Sequence, residues 1–175
     1  MFTENGKCHR FKAVSVPMGR YNDKGVPLEQ VSGFNTGDEI AYIISDQNPK
    51  EKLLFVTESG LVKRVAMSEF DTSRKITDAT KLSDGDKLVL VSTIKDKQSI
   101  VLISKTGMCV VFDAASAKLL KKNSVGIIGM KFDKNDSIGF AAATDENGTF
   151  VLGEKQYNAN SIEAGKRATK GKKLN

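Results

Sequence analysis

At 175 residues, with 39% hydrophobic and 27% charged side chains, the chain has the composition of a globular domain that can bury a core without metals or disulfides. No stretch approaches the roughly 20 apolar residues of a membrane helix, and Met1-Phe2-Thr3-Glu4-Asn5-Gly6 shows no basic segment leading into an apolar one, so the expectation is a cytoplasmic protein with no membrane association. The net charge of +6 permits an acidic partner and excludes nothing else.

The first element is a polar turn on Gly6, within Thr3 to Phe11, and it returns at Gly60, Gly107 and Gly148. Each glycine follows a polar triplet, the chemistry of a tight hairpin in which glycine takes a positive φ. Short, bulky runs Leu53 to Val56 and Ser99 to Ile103 precede two of these turns and read as buried strands. A second turn follows some 25 to 30 residues later, at Phe34-Asn35-Thr36-Gly37-Asp38, Leu82-Ser83-Asp84-Gly85-Asp86 and Phe132-Asp133-Lys134-Asn135-Asp136. Its Gly or Asn tolerates a left-handed backbone and its last Asp can bond turn amides. Strands are expected to leave these turns at Glu39 to Ile44, Lys87 to Thr93 and Ser137 to Ala142. Two hairpins per repeat give four strands per unit, the arithmetic of a propeller blade. The spacing yields three complete repeats and part of a fourth, at about 1–46, 51–95, 98–143 and 146–175. The competing arrangement is a β-sandwich of unrelated hairpins.

Charge collects at the end of the chain, where residues 154–175 set Lys155, Lys166, Arg167, Lys170, Lys172 and Lys173 against Glu154 and Glu163. Such a segment suits a polyanion or simply a solvated terminus. Cys8 and Cys109 are the only thiols; with the single His9 they form no zinc-ligand spacing and read as small buried apolar residues.

The stretch Leu53-Leu54-Phe55-Val56-Thr57-Glu58-Ser59-Gly60-Leu61-Val62-Lys63-Arg64 resembles a blade of the C-terminal domain of bacterial gyrase and topoisomerase IV A subunits. Ser68 to Arg74, with Thr80-Lys81-Leu82, leans towards topoisomerase IV-like members from Gram-positive bacteria. Met18-Gly19-Arg20 through Val26, Ser124 through Phe132, and Lys166 through Leu174 are similar to the family's segment between the two hairpins of a blade. The resemblance implies an all-β, propeller-like β-pinwheel, with strands exchanged between blades and a basic rim that holds bent double-stranded DNA. It also implies a non-catalytic domain without cofactor or metal, serving an ATP-dependent type IIA topoisomerase, an isomerase, beside the remaining A-subunit domains and the ATPase B subunit. The glutamine-arginine-arginine-glycine-glycine-lysine-glycine box that marks gyrase is absent from these residues.

A duplex held without sequence preference needs many cations along its path. Strand alternation places the second residue after each hairpin glycine inward (Cys8, Val62, Cys109, Phe150) and the third outward (His9, Lys63, Val110, Val151), which makes Lys63 a candidate phosphate ligand. Arg64 and Arg10 fall next, turned outward by a bulge or set at a blade edge with buried stems. The connecting loops supply Arg20, Lys24, Arg74, Lys75, Lys121, Lys122, Arg167 and Lys170. The alternative is a protein-interaction propeller on which these cations serve solubility.

Catalytic patterns are not expected. Arg20-Tyr21 matches the arginine–tyrosine pair of type IIA cleavage centres only as a dipeptide, without the surrounding helical pattern. Asp84 with Asp86, and Asp133 with Asp136, recur at matching turns and are explained by turn formation.

Overall fold

The computed structural model describes residues 1–35, 37–45, 48 and 50–174; Thr36 of the first Asp-containing turn and position 46, the expected end of the first repeat, lie outside the described residues. The first repeat contains β1 (Phe2–Thr3), β2 (Lys7–His9), a one-turn helix α1 (Leu28–Ser32) and β3 (Ile40–Tyr42). The second contains β4 (Lys52–Thr57), β5 (Leu61–Ala66), β6 (Ile76–Asp78) and β7 (Leu88–Ile94). The third contains β8 (Ser99–Ser104), β9 (Met108–Asp113), β10 (Ile127–Ile128) and β11 (Ile138–Ala143), and the fourth β12 (Thr149–Leu152), β13 (Lys155–Asn158) and β14 (Lys172–Lys173).

These strands form three four-stranded antiparallel sheets, ordered β3-β1-β2-β6, β10-β5-β4-β7 and β11-β8-β9-β14, and a two-stranded hairpin β12-β13. Every four-stranded sheet therefore takes one edge strand from the following repeat: β6 pairs with β2, β10 with β5 and β14 with β9. This is the expected pinwheel of three full blades and part of a fourth. The opposite edge strands converge, β3 packing on β7 and β7 on β11, so they form the hub and the borrowed strands form the rim.

Side chains alternate between two buried faces. Leu53 and Phe55 of β4 enter a cluster with Phe2 and Cys8 of the first blade, whereas Leu54 and Val56 enter one with Ile100 and Leu102 of the third. Val101 and Ile103 point the other way and pack with Phe150 of the fourth. A blade sandwiched between neighbours has no wet face, which explains the near-continuous apolar runs.

The second turns behave as expected. Asn135 and Gly85 have φ of 69° and 76°. Asp86 accepts from the Ser59 amide at 3.0 Å, Asp136 accepts from the Thr106 hydroxyl at 2.7 Å, and Asp38 accepts from Asn5 at 2.6 Å, so the two turns of each of the first three repeats are bonded together.

The fourth motif needs correction. Gly148 lies between β11 and β12, where Lys95 to Gln98 lie in the preceding repeat; Gly153, between β12 and β13, is the hairpin glycine. Both positions favour a turn with positive φ, 78° and 62°, so the sequence offered two candidates five residues apart.

Candidate nucleic-acid interface

The expected inward positions Cys8, Val62, Cys109 and Phe150 are all buried. The expected outward positions are not: His9, Lys63 and Val110 are buried too, and only Val151 is exposed, at 59%. Alternation presumes one solvated face, and a blade between two others has none.

Lys63 is corrected accordingly. It is 1% exposed, and its ammonium donates to the main-chain carbonyls of Lys122 and Ser124, each at 2.6 Å, and of Lys121 at 3.4 Å. The Phe55 ring lies beside it, 5.6 Å to the centroid. Burial pulls the ammonium down to about 8. With its donors committed inward, Lys63 is a tether under the 121–124 loop and not a surface cation. Arg64 is corrected as well: it is 7% exposed, its Nε donates to the Ala117 carbonyl at 2.7 Å, and its guanidinium is ion-paired with Asp96. The β4–β5 register runs unbroken, so no bulge turns Arg64 outward. Arg10 is half-buried, donates to the Thr72 carbonyl and pairs with Asp71 at 3.5 Å. All three cations hold the connecting segment of the repeat that follows theirs.

The loop cations stand at the surface. Equivalent places follow from the register: Thr77, Ile127 and Lys172 face Cys8, Val62 and Cys109, the second residues after the hairpin glycines. Lys122 and Arg167 each lie five residues before those rim strand positions, and Lys75 and Lys170 each lie two before them. Four of the sequence-derived candidates thus occupy two recurring rim sites. Arg167 donates to the Ile128 carbonyl at 2.9 Å, and Lys170 is ion-paired with Asp133. Lys121 pairs with Glu69 at 2.8 Å, which holds that carboxyl below its usual value and raises the Lys121 ammonium. Lys122 lies over the Phe70 ring, 5.8 Å to the centroid.

Arg74 is exposed and lines two grooves. One, of about 640 Å³, runs under Arg10, Lys12, Arg74 and Lys75 beside Phe11 and Gln30. The other, of about 360 Å³, joins Arg74 to Lys122 across the boundary between the first two blades. Arg20 and Lys24 stand apart, on an exposed loop where the Arg20 amide donates to Asp23 at 2.6 Å. Lys7 and Lys12 were missed by sequence; the signal for Lys7 was its place beside Gly6, opposite Asp78 on the borrowed strand, with which it pairs at 2.6 Å.

The described residues hold no group of three or more His, Cys, Asp or Glu arranged to bind a metal, and no helix long and apolar enough to cross a membrane.

Repeated blades that lend edge strands to one another, with cations recurring at the rim, define a class of protein: the β-pinwheel. The chain belongs to the family described as DNA gyrase C-terminal domain, beta-propeller, which matches residues 1–45, 51–95 and 98–144. Among curated relatives, the DNA gyrase A subunit of Chlamydia muridarum is 26% identical over 97% of this chain and 21% of its own length, and that of Mycolicibacterium smegmatis is 28% identical over 78% and 17%. The chain therefore spans about a fifth of the relatives it matches. The fold is shared with a topoisomerase IV C-terminal domain (TM-score 0.85, 20% identity, 97% of this chain and 56% of the other) and with a DNA gyrase A C-terminal domain (TM-score 0.73, 22% identity, 98% and 57%).

Proposed function

We propose that this chain binds and bends duplex DNA along its rim, guiding the duplex towards the cleavage core of a type IIA topoisomerase and tuning the topology that core prefers. It does so as one domain of three repeats and part of a fourth, without catalysing a reaction itself. The observation that carries this reading is the recurrence, at equal offsets from the rim strands, of Lys122 with Arg167 on the second and third blades and of Lys75 with Lys170 on the first and third. Cations repeated along a curved edge meet successive phosphates of a curved duplex, and each neutralised phosphate releases counterions. Bending a short site by 40 to 90° costs about 1–6 kcal/mol, so several such contacts are required to offset it. The proposed partners follow from the family: double-stranded DNA, the remaining A-subunit domains and an ATPase B subunit, in the cytoplasm. The loop around Ser68 to Arg74 supports a topoisomerase IV-like rather than a gyrase-like parent.

Titrating the chain against linear duplex and small DNA circles at several salt concentrations tests the reading. Expected are a logarithmic affinity that falls linearly with log salt and tighter binding to the circles. Partner-independent indifference to salt, or no binding to duplex, would overturn it and favour a protein-interaction propeller.

A further inference from the structure

The groove between the first and second blades has a composition that the rim as a whole does not. It brings together Arg74 of the second repeat and Lys122 of the third, with Thr72, Thr77 and Asn123 between them, and no aromatic side chain lines it. Its one carboxylate, Asp78, is taken by Lys7 at 2.6 Å. Neither Arg74 nor Lys122 is ion-paired among the described residues, in contrast to Lys121 and Lys170 on the same rim. Glu69, on the adjoining turn, is ion-paired with Lys121 and also feels the charge of Lys122, whose main-chain amide donates to it.

We propose that this groove is a phosphate subsite: Arg74 and Lys122 bracket one backbone phosphate of the duplex from opposite walls, with Asn123 and the threonine hydroxyls as neutral donors. The inference rests on the duplex-binding reading and sharpens it to one contact. Neither side chain is held in a salt bridge, so an anion can engage the pair without first breaking one, and charge-assisted bonds to phosphate are stronger than neutral ones. A lining without aromatic rings offers no stacking platform, so the ligand is a phosphodiester and not an unstacked base. Tethering assists. The Lys121, Lys122 and Ser124 carbonyls, which would repel an anion, are turned inward onto the Lys63 ammonium.

The test compares the full chain with R74A/K122A and with K97A/K134A, the latter removing the same charge from exposed turns away from the groove. Duplex affinity is measured by fluorescence anisotropy across a salt series. The groove variant is expected to bind about tenfold more weakly and to lose roughly one unit of salt slope, as one phosphate contact requires, while the turn variant changes affinity less than threefold. Inorganic phosphate at constant ionic strength is expected to weaken duplex binding by the unaltered chain more than by the groove variant. Equal effects of the two variants on duplex affinity would overturn the subsite while duplex binding by the unaltered chain keeps the wider reading intact. No duplex binding by the unaltered chain removes both.

Discussion

The Lys63 ammonium donates to the main-chain carbonyl of Lys122 at 2.6 Å, so a buried lysine of the second repeat holds the backbone beneath a half-buried lysine of the third. Replacing Lys63 with Met keeps the volume and removes the donors. The 121–124 carbonyls then lose their partner, and the loop should loosen while the blades stay folded. Hydrogen exchange should quicken at Asn123 and Ser124, and duplex affinity should fall about fivefold, or ~1 kcal/mol. Unaltered exchange in that loop would mean the tether is dispensable.

The same lysine makes stability depend on pH with a definite sign. Its folded value of about 8 lies below the 10.5 of the free side chain, so above pH 8 the folded state has shed a proton that the unfolded state keeps. Stability contributed by this site therefore rises with pH from about 8 towards 10.5. Burial pushes the Cys109 thiol up to about 11 from 9.0, and the folded state keeps that proton, so its contribution is lost as pH climbs from 9 to 11. Urea midpoints of the unaltered chain minus those of K63M should increase between pH 7.5 and 9; a constant or shrinking difference contradicts the assignment.

Gly60 and Gly85 both have positive φ, 82° and 76°, but differ in surroundings. A Cβ on Gly60 would lie 2.6 Å from Phe132 and 2.8 Å from the Met130 carbonyl oxygen, whereas one on Gly85 meets nothing within 4 Å. Gly60→Ala should cost about 2–4 kcal/mol through left-handed strain and overpacking together. Gly85→Ala should cost about 1 kcal/mol. Thermal melts of the two variants check the order, and equal costs would refute the role of the Phe132 contact.

Val101 and Val151 hold equivalent places on the first strands of consecutive hairpins, yet one is 0% and the other 59% exposed. Val→Thr conserves shape and introduces a hydroxyl. At Val101, against Phe150 and its neighbours, the change should destabilise by about 1–3 kcal/mol; at Val151 it should stay within about 0.5 kcal/mol. A denaturant series on each variant decides, and a comparable loss at Val151 would show that its face is covered.

The blade count and the interior strands β4 and β8 were legible because they are local: bulky runs at 53–56 and 99–103 between turn residues leave little alternative to buried hairpins. Strand exchange was not derivable from those runs, since β6, β10 and β14 are two or three residues long and find their partners across a repeat boundary. That non-local fact decides the site. It is why Lys63 and Arg64, polar residues in a hairpin strand, face a packed neighbour and reach for its carbonyls, and why Arg74 and Lys122, 48 positions apart in sequence, share a groove. Loop cations were identifiable by type, but which of them are quenched by Glu69 or Asp133 depended on contacts that spacing does not encode.

Borrowed edges also govern how the molecule comes apart. In a stacked repeat array, each unit contacts its neighbours only through a face, and a terminal unit can peel away alone. Here the loss of the third repeat strips β10 from β5 and bares the rim of the second blade, and the loss of the fourth does the same to the third. Melting is thus propagated along main-chain hydrogen bonds as well as through side-chain packing, and the blades unravel together like interlocked stitches.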